Sequence, residues 1–379
     1  MELKIGILPP RSDMFPSLGK NLLDGFKLGT TDLDPAQFSF QFRIEGIGNA
    51  ADDGTIRTAE KMILQEEVDV LLSFCSSYIL ERMVSVFDAY QKPLIHIDLG
   101  SNGIKSRHLS PYVAFHSLNV LQSAYAAGAY AAKTHGKKAL LVASFYDGGY
   151  QHTAALVKGF TDHGGFIVNN YVGPMDYKAE TYENMIQFIE ASEAEVVFLL
   201  FSFKEGDKVL HALSQSALNG KLPFVTLPML TDESFNHRNH HLQQVTSVAS
   251  WSFDEMLPAM ETFVQKANEA FQSPPNIMHL LGYELGLVIT TLLKTYGNIP
   301  KEIVSSLQNL TIDSPRGILN YTSNGESQVD SYKVRTFNFN EVRYHNTVID
   351  TMDSSLTATL HAAFEDVDYA GWQNPYICT

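Results

Sequence analysis

Two adjacent serines, Ser76 and Ser77, close a short apolar run and stand just before a helical stretch at 79–90. Such a position gathers unpaired backbone N–H groups and the positive end of a helix dipole, so it suits an anion, and a ligand carboxylate is the natural guest. The plainer alternative is a serine that caps its own helix. His237, His240 and His241 have a spacing that zinc would use if that stretch were helical, but no Cys or carboxylate completes the set, and a polar surface loop is the better reading. Nucleophilic hydrolysis needs a serine on a strained elbow with a histidine base, and no Gly-x-Ser-x-Gly occurs. A phosphate-cradling Gly-x-x-x-x-Gly-Lys is also missing. Gly46-Ile47-Gly48-Asn49-Ala50-Ala51 only partly imitates a dinucleotide loop, because it follows the second strand and lacks the third glycine. Cys75 and Cys378 are too few for a disulfide framework or a Cys-based zinc site, and two unpaired thiols are expected over a single bridge. These residues point to binding without a chemical step, a metal or a cofactor.

The charge balance narrows the partners. With 42 acidic against 27 basic residues the formal charge is -15, which repels phosphate backbones and anionic headgroups and argues against nucleic acid and membrane surfaces. No run of apolar residues is long enough to predict a membrane span, and the opening MELKIGILPP enters a strand-like segment without a basic and apolar leader.

The elements that must position these loops alternate short apolar runs with helical patterns, as βαβ units and parallel sheets do. Strands are predicted at 3–8, 38–44, 68–74 and 93–97, with helices at 18–30, 55–66 and 79–90 between them. The plan then repeats. An Ala-rich helix at 118–135, ended by Gly136, leads to strands at 139–143, 166–172, 196–201 and 223–227, separated by helices at 152–163, 182–191 and 207–218. A strand-like run at 245–251 precedes helices at 255–271, 277–296 and 300–310, and strand patterns at 334–339 and 342–349 lead into a partly aromatic tail. At 379 residues, two α/β lobes with doubly wound parallel sheets are the natural outcome.

The order of elements, with Lys4-Ile5-Gly6-Ile7-Leu8-Pro9, Gly25-Phe26-Lys27-Leu28-Gly29, Phe74-Cys75-Ser76-Ser77, Asp147-Gly148-Gly149-Tyr150, Gly282-Tyr283-Glu284-Leu285-Gly286, Ser314-Pro315-Arg316-Gly317 and Asn324-Gly325, resembles the type I periplasmic binding proteins of ABC transporters, in particular the leucine/isoleucine/valine-binding family. The resemblance covers nearly the whole chain. It implies a three-crossover hinge, with lobe one formed by 1–118 plus 253–330 and lobe two by 119–252 plus 331–379. It further implies a small-molecule ligand, an amino acid or analogue, held in the cleft by hinge closure, and transporter membrane subunits as partners. The implied location is periplasmic or cell-surface, the export leader being absent from this sequence. A ligand-sensing regulator of the same fold is the alternative.

In open parallel sheets, ligands sit beyond the carboxyl ends of the strands. By resemblance, the loop carrying Asp98 and Ser101 offers polar groups to the amino-acid moiety, although Asp, Gly, Ser and Asn also make simple turns. Tyr146, Asp147 and Tyr150 follow the first strand of lobe two, and the family pattern brings Tyr150 over the ligand, while Asp147 has helix capping as its alternative. Ser202 ends the third strand. Thr231, Asp232 and Glu233 lie beyond the fourth, where the family has an acidic partner for a ligand ammonium. Phe15 and Ser17, after the first strand, are candidates for the side-chain pocket. Tyr283 reads as core, and Arg316 as part of a loop that shapes the lobe surface.

Overall fold

The computed structural model describes residues 1–234, 241–253, 257–339, 344–368 and 376–377. His237, His240, Trp372 and Cys378 lie outside them. The first half runs β1 (Glu2–Leu8), α1 (Leu18–Gly29), β2 (Ser39–Ile44), α2 (Asp53–Leu64), β3 (Val70–Ser73), α3 (Leu80–Tyr90), β4 (Leu94–Asp98) and β5 (Val113–Ser117). Its strands form one parallel sheet in the order β2-β1-β3-β4-β5. β3 is buried along its whole length, as a strand covered on both faces must be. Asp52 starts α2 by accepting from the Thr55 N–H at 3.2 Å, a side-chain cap that the sequence type favours.

The chain continues with α4 (Val120–Thr134), β6 (Lys138–Ala143), α5 (Gln151–Asp162), β7 (Phe166–Val172), α6 (Glu183–Glu190), β8 (Val196–Leu200), α7 (Phe203–Ser214), β9 (Phe224–Thr226) and β10 (Val245–Ala249). After it come α8 (Pro258–Phe271), α9 (Ile277–Tyr296), α10 (Ile303–Gln308), β11 (Ile312–Ser314), β12 (Gly317–Tyr321), β13 (Ser327–Val329), β14 (Ser331–Phe339), β15 (Tyr344–Asp353) and α11 (Leu360–Ala363). The second sheet has the order β15-β14-β10-β9-β8-β6-β7, parallel from β7 to β10 and antiparallel at β14 and β15. These are the two α/β lobes with mostly parallel sheets that the element pattern predicts. Missing from that pattern are β5 and the small antiparallel sheet β11-β12-β13.

After β10 the chain returns to the first lobe, where α9 lies along α1. The contact is backbone to backbone. A Cβ added at Gly282 would sit 2.0 Å from the Leu22 carbonyl oxygen, and one at Gly25 would sit 2.1 Å from that of His279, so only glycine permits this approach. Two glycine-bearing motifs some 250 residues apart in order are therefore one packing device. α9 is also the one helix among the described residues with the length and apolarity to cross a membrane, but here it is the buried core helix of the first lobe.

Three passages join the lobes, and a buried ion pair holds them together. Arg316, expected at the lobe surface, is instead fully buried. Its guanidinium donates to Glu284 at 2.8 and 2.7 Å, to Ser250 Oγ at 2.8 Å and to Asn119 Oδ1 at 3.2 Å. Asn119 begins the first passage and Ser250 the second. For the third, Asn119 Nδ2 donates to the Ser327 carbonyl at 2.9 Å and Lys333 Nζ to the Arg316 carbonyl at 2.7 Å. Burial opposes charge on Glu284, yet Arg316 and His116 hold its carboxyl down to about 2.

Candidate functional site

The carboxyl ends of the two parallel sheets face each other across the passages, and the loops that follow them meet. The main-chain N–H of Gly103, beyond β4, donates to Gln151 Oε1 at the start of α5 at 2.8 Å. A cavity of 550 Å³ opens between the Pro9 to Asp13 segment and Gly46 and Gly48 on one lobe and Lys204 on the other. A second, of 450 Å³, lies between Glu233, Ser234 and Tyr344 of the second lobe and Asn268 and Asn276 beside the first. Both fall in the size range of small-ligand sites.

On the first lobe, the loop after β3 is held by its own polar groups. The Ser76 N–H donates to the Ala50 carbonyl at 2.8 Å, and its Oγ accepts from the Tyr78 N–H at 3.2 Å. Ser77 Oγ accepts from Asn102 Nδ2 at 3.0 Å, tying this loop to the next. The N-cap position of α3 falls to Ile79, so neither serine caps that helix. Asp98 Oδ1 accepts from the Gly100 N–H at 2.8 Å, and Ser101 is buried with an Oγ that makes no hydrogen bond. Below them, Cys75 Sγ lies 3.5 Å from His96 Nδ1, while His96 Nε2 lies 3.7 Å from Asp98. Burial alone would lower the His96 imidazole, but the Cys75 thiol and the Asp98 carboxylate push it up to about 10.

On the second lobe, Ser144 and Ser202 grip Asp147. The Asp147 N–H donates to Ser144 Oγ at 2.8 Å, and its Oδ2 accepts from Ser202 Oγ at 2.9 Å. Burial raises the Asp147 carboxyl to about 6 against these bonds. Ser202 occupies the N-cap position of α7 but spends its hydroxyl on Asp147 rather than on the helix. Tyr146 is half-buried, its ring 5.4 Å from that of Phe145. Tyr150 is buried in an aromatic group, 5.1 Å from His152 and 6.1 Å from Tyr376 of the tail.

The remaining candidates stand apart from these two groups. Thr231 Oγ1 donates to Ser247 at 3.0 Å, and Asp232 Oδ1 accepts from the Ser234 N–H at 2.8 Å, beside the 450 Å³ cavity. Phe15 packs in the main hydrophobic core, while Ser17 is exposed at the start of α1. The sequence argument missed Arg11, Ser12 and Lys204 around the larger cavity, and also Asn102, Gln151 and Glu205. Of these, Lys204 and Glu205 carried a readable signal, since they sit just past the β8 strand end, three residues or fewer beyond Ser202.

The family profile described as periplasmic binding protein matches residues 2–338. The chain belongs to this family. Among solved periplasmic binding proteins, an ABC transporter substrate-binding protein from Sphaerobacter thermophilus is 20% identical, with a TM-score of 0.80 over 93% of this chain and 98% of its own. A solute-binding protein from Rhodopseudomonas palustris BisB5, in complex with 3,4-dihydroxybenzoic acid, is 20% identical with a TM-score of 0.75 over 93% and 98%. An ABC-type branched-chain amino acid transporter protein from Rhodopseudomonas palustris CGA009 is 13% identical with a TM-score of 0.73 over 93% and 97%. At these identities the likeness is one of fold. The leucine/isoleucine/valine specificity implied by the sequence motifs is accordingly coarsened to the periplasmic binding protein family as a whole. Among curated proteins, none matches the sequence.

Proposed function

We propose that this periplasmic binding protein is the extracytoplasmic solute-binding component of an ABC importer, and that it takes a small carboxylate-bearing solute, an amino acid or close analogue, into the cleft between its lobes without changing it. The lobes would divide as 1–118 plus 253–330 and 119–252 plus 331–379. The observation that carries this reading is the meeting of strand-end loops across the cleft, bridged by the Gly103 N–H and Gln151 Oε1 at 2.8 Å. Ligand contacts made from both sides favour the closed arrangement over the open one, which is how a hinge converts binding into a shape that membrane subunits read. In this account Ser77, Ser101 and Asp98 serve from the first lobe, and Asp147, Ser202 and Tyr150 from the second. Thr231, Asp232, Phe15 and Ser17 hold outer positions.

Aromatic acids form the second reading, because a similar structure is a complex with 3,4-dihydroxybenzoic acid. A thermal-shift screen of the chain against amino acids, amides, urea derivatives and benzoates separates the two, since a ligand that binds only the folded state raises the melting temperature. The expected result is a shift with one chemical class that Ser77→Ala and Asp147→Asn abolish. No shift with any class would sink the proposal.

A further inference from the structure

The C-terminal segment touches the two lobes in turn. Its described residues, 360–368 and 376–377, lie beyond the stretch 2–338 that the family profile matches. On the first lobe, His361 Nε2 lies 3.2 Å from Glu326 Oε1. The Ser106 N–H donates to both Glu365 carboxylate oxygens, at 3.0 and 3.1 Å, and the Ser106 hydroxyl donates to one of them. Phe364 is buried against Gly103, where an added Cβ would sit 3.0 Å from the phenylalanine Cβ. On the second lobe, Gln151 Nε2 donates to the Val367 carbonyl at 3.0 Å. The Tyr376 ring stacks on His152 at 5.1 Å, with its hydroxyl 3.0 Å from His152 Nε2.

These contacts fall on the loops proposed to receive the solute. His361 closes the space over Asp98 and Asn102, where 20 Å³ remains among Asp98, Asn102, Gly103 and Glu326, far below the about 300 Å³ of the smallest ligand sites. Asp368 stands beside Ser77, the two lining one 190 Å³ cavity with Arg107 and His108. The Tyr376 ring lies 6.1 Å from that of Tyr150, and burial first, then the Asp147 charge, keep its hydroxyl protonated. A segment that merely packed on the second lobe would leave the loops of the first to solvent. This one engages both. Gln151 accepts the Gly103 N–H on its Oε1 at 2.8 Å and gives its Nε2 to Val367, so the bond across the lobes and the hold on the tail share one side chain.

We propose that the segment from Leu360 is a built-in occupant of the cleft, which fastens the lobes in their closed arrangement without a solute and must be displaced before a solute reaches Ser77 and Tyr150. Contacts made from both sides select the closed state whether a solute or a tail makes them. Two occupants of the same loops exclude each other, so the tail lowers the apparent solute affinity according to the fraction of chains in which it is seated. The displacement rests on the solute-binding reading, whereas the fastening does not.

The first test is hydrogen–deuterium exchange of the full chain without added solute, read by NMR at the Gly103 amide, which donates across the lobes and lies outside every substitution made. Glu365→Ala combined with Tyr376→Ala is expected to speed Gly103 exchange by about tenfold or more, while amides in β3 and β8, inside the two lobes, stay protected. Glu365→Ala and His361→Ala alone, both outside the core, should shift the rate in the same direction by less, and they decide the matter if the double variant unfolds a lobe. Gly103 exchange at the wild-type rate in these variants would overturn the fastening. Calorimetric titration of L-leucine, L-phenylalanine, benzoate and 3,4-dihydroxybenzoate tests the displacement. Whichever compound binds should bind the variants more tightly, by about tenfold in the double variant if the tail is seated in about nine chains of ten. Unchanged or weaker binding would make the segment a wall of the site rather than its occupant and overturn the displacement. No binding of any of these compounds to either form would remove the solute-binding reading, while the Gly103 rate still decides whether the tail fastens the lobes.

Discussion

Arg316 and Glu284 form a two-pronged ion pair, at 2.8 and 2.7 Å, with neither side chain exposed to solvent. The pair is the centre to which all three inter-lobe passages are tied, through Asn119, Ser250 and Lys333. Removing one partner strands the other charge in a dry interior. Arg316→Met is therefore expected to lower unfolding stability by about 3–5 kcal/mol. Adding Glu284→Gln should return part of that loss, a coupling that urea titration of both single variants and the double variant would read.

The pH dependence of this pair has a defined sign. The folded Glu284 carboxyl, at about 2, lies below its ordinary 4.5. Its contribution is fully present above 4.5 and is lost as pH falls toward 2. Wild-type stability should thus fall across that window more steeply than that of a Glu284→Gln variant.

At the helix contact, Gly282→Ala places a methyl 2.0 Å from the Leu22 carbonyl. Relief requires α1 and α9 to separate, and the expected cost is at least about 1–3 kcal/mol, the usual range for overpacking. Gly297→Ala, in open space at the end of α9 but at φ +73, serves as the comparison that carries backbone strain without a clash. A smaller loss at Gly282 than at Gly297 would contradict this account of the crossing.

Asp147 supplies a prediction of opposite sign. Burial raises its carboxyl to about 6, so its ionised form is disfavoured in the folded chain at neutral pH. Asp147→Asn keeps a group that accepts from Ser202 while removing the charge. It is expected to raise stability at pH 7 by about 3 kcal/mol, the scale of a shift of that size, while weakening solute binding. Denaturation midpoints and solute titrations on the same variant check both halves.

In the aromatic group under Tyr150, His152 Nε2 lies 3.0 Å from the Tyr376 hydroxyl, and burial lowers this histidine to about 3. A neutral His152 shares a hydrogen bond with that hydroxyl, which keeps its proton. The stability it contributes is present above pH 6.5 and declines as pH falls toward 3, and His152→Gln should flatten that decline in urea midpoints measured between pH 7 and pH 4.

Much of this architecture was legible in the alternation of apolar runs and helical periods, because buried parallel strands and amphipathic helices leave distinct patterns. The two lobes and most element positions follow from it. β5 and the β11-β12-β13 sheet did not show. Their strands are three to five residues long, too short for a period to declare itself. Arg316 was misjudged because its partner Glu284 is 32 residues away in sequence and only the fold brings them together. The strand-end rule singled out the loops at Ser77, Asp98 and Asp147 as candidates, but the pairing of Ser77 with Asn102 and of Asp147 with Ser202 depends on side-chain distances that one sequence does not encode.

The central claim, capture of a small solute without chemical change, is tested most directly by calorimetric titration of the best compound from the thermal screen, followed by mass spectrometry of the recovered compound. The account predicts one solute per chain, binding lost in Ser77→Ala, and the compound recovered unaltered. Conversion of the compound to a product, or the same affinity in the Ser77→Ala variant, would contradict it.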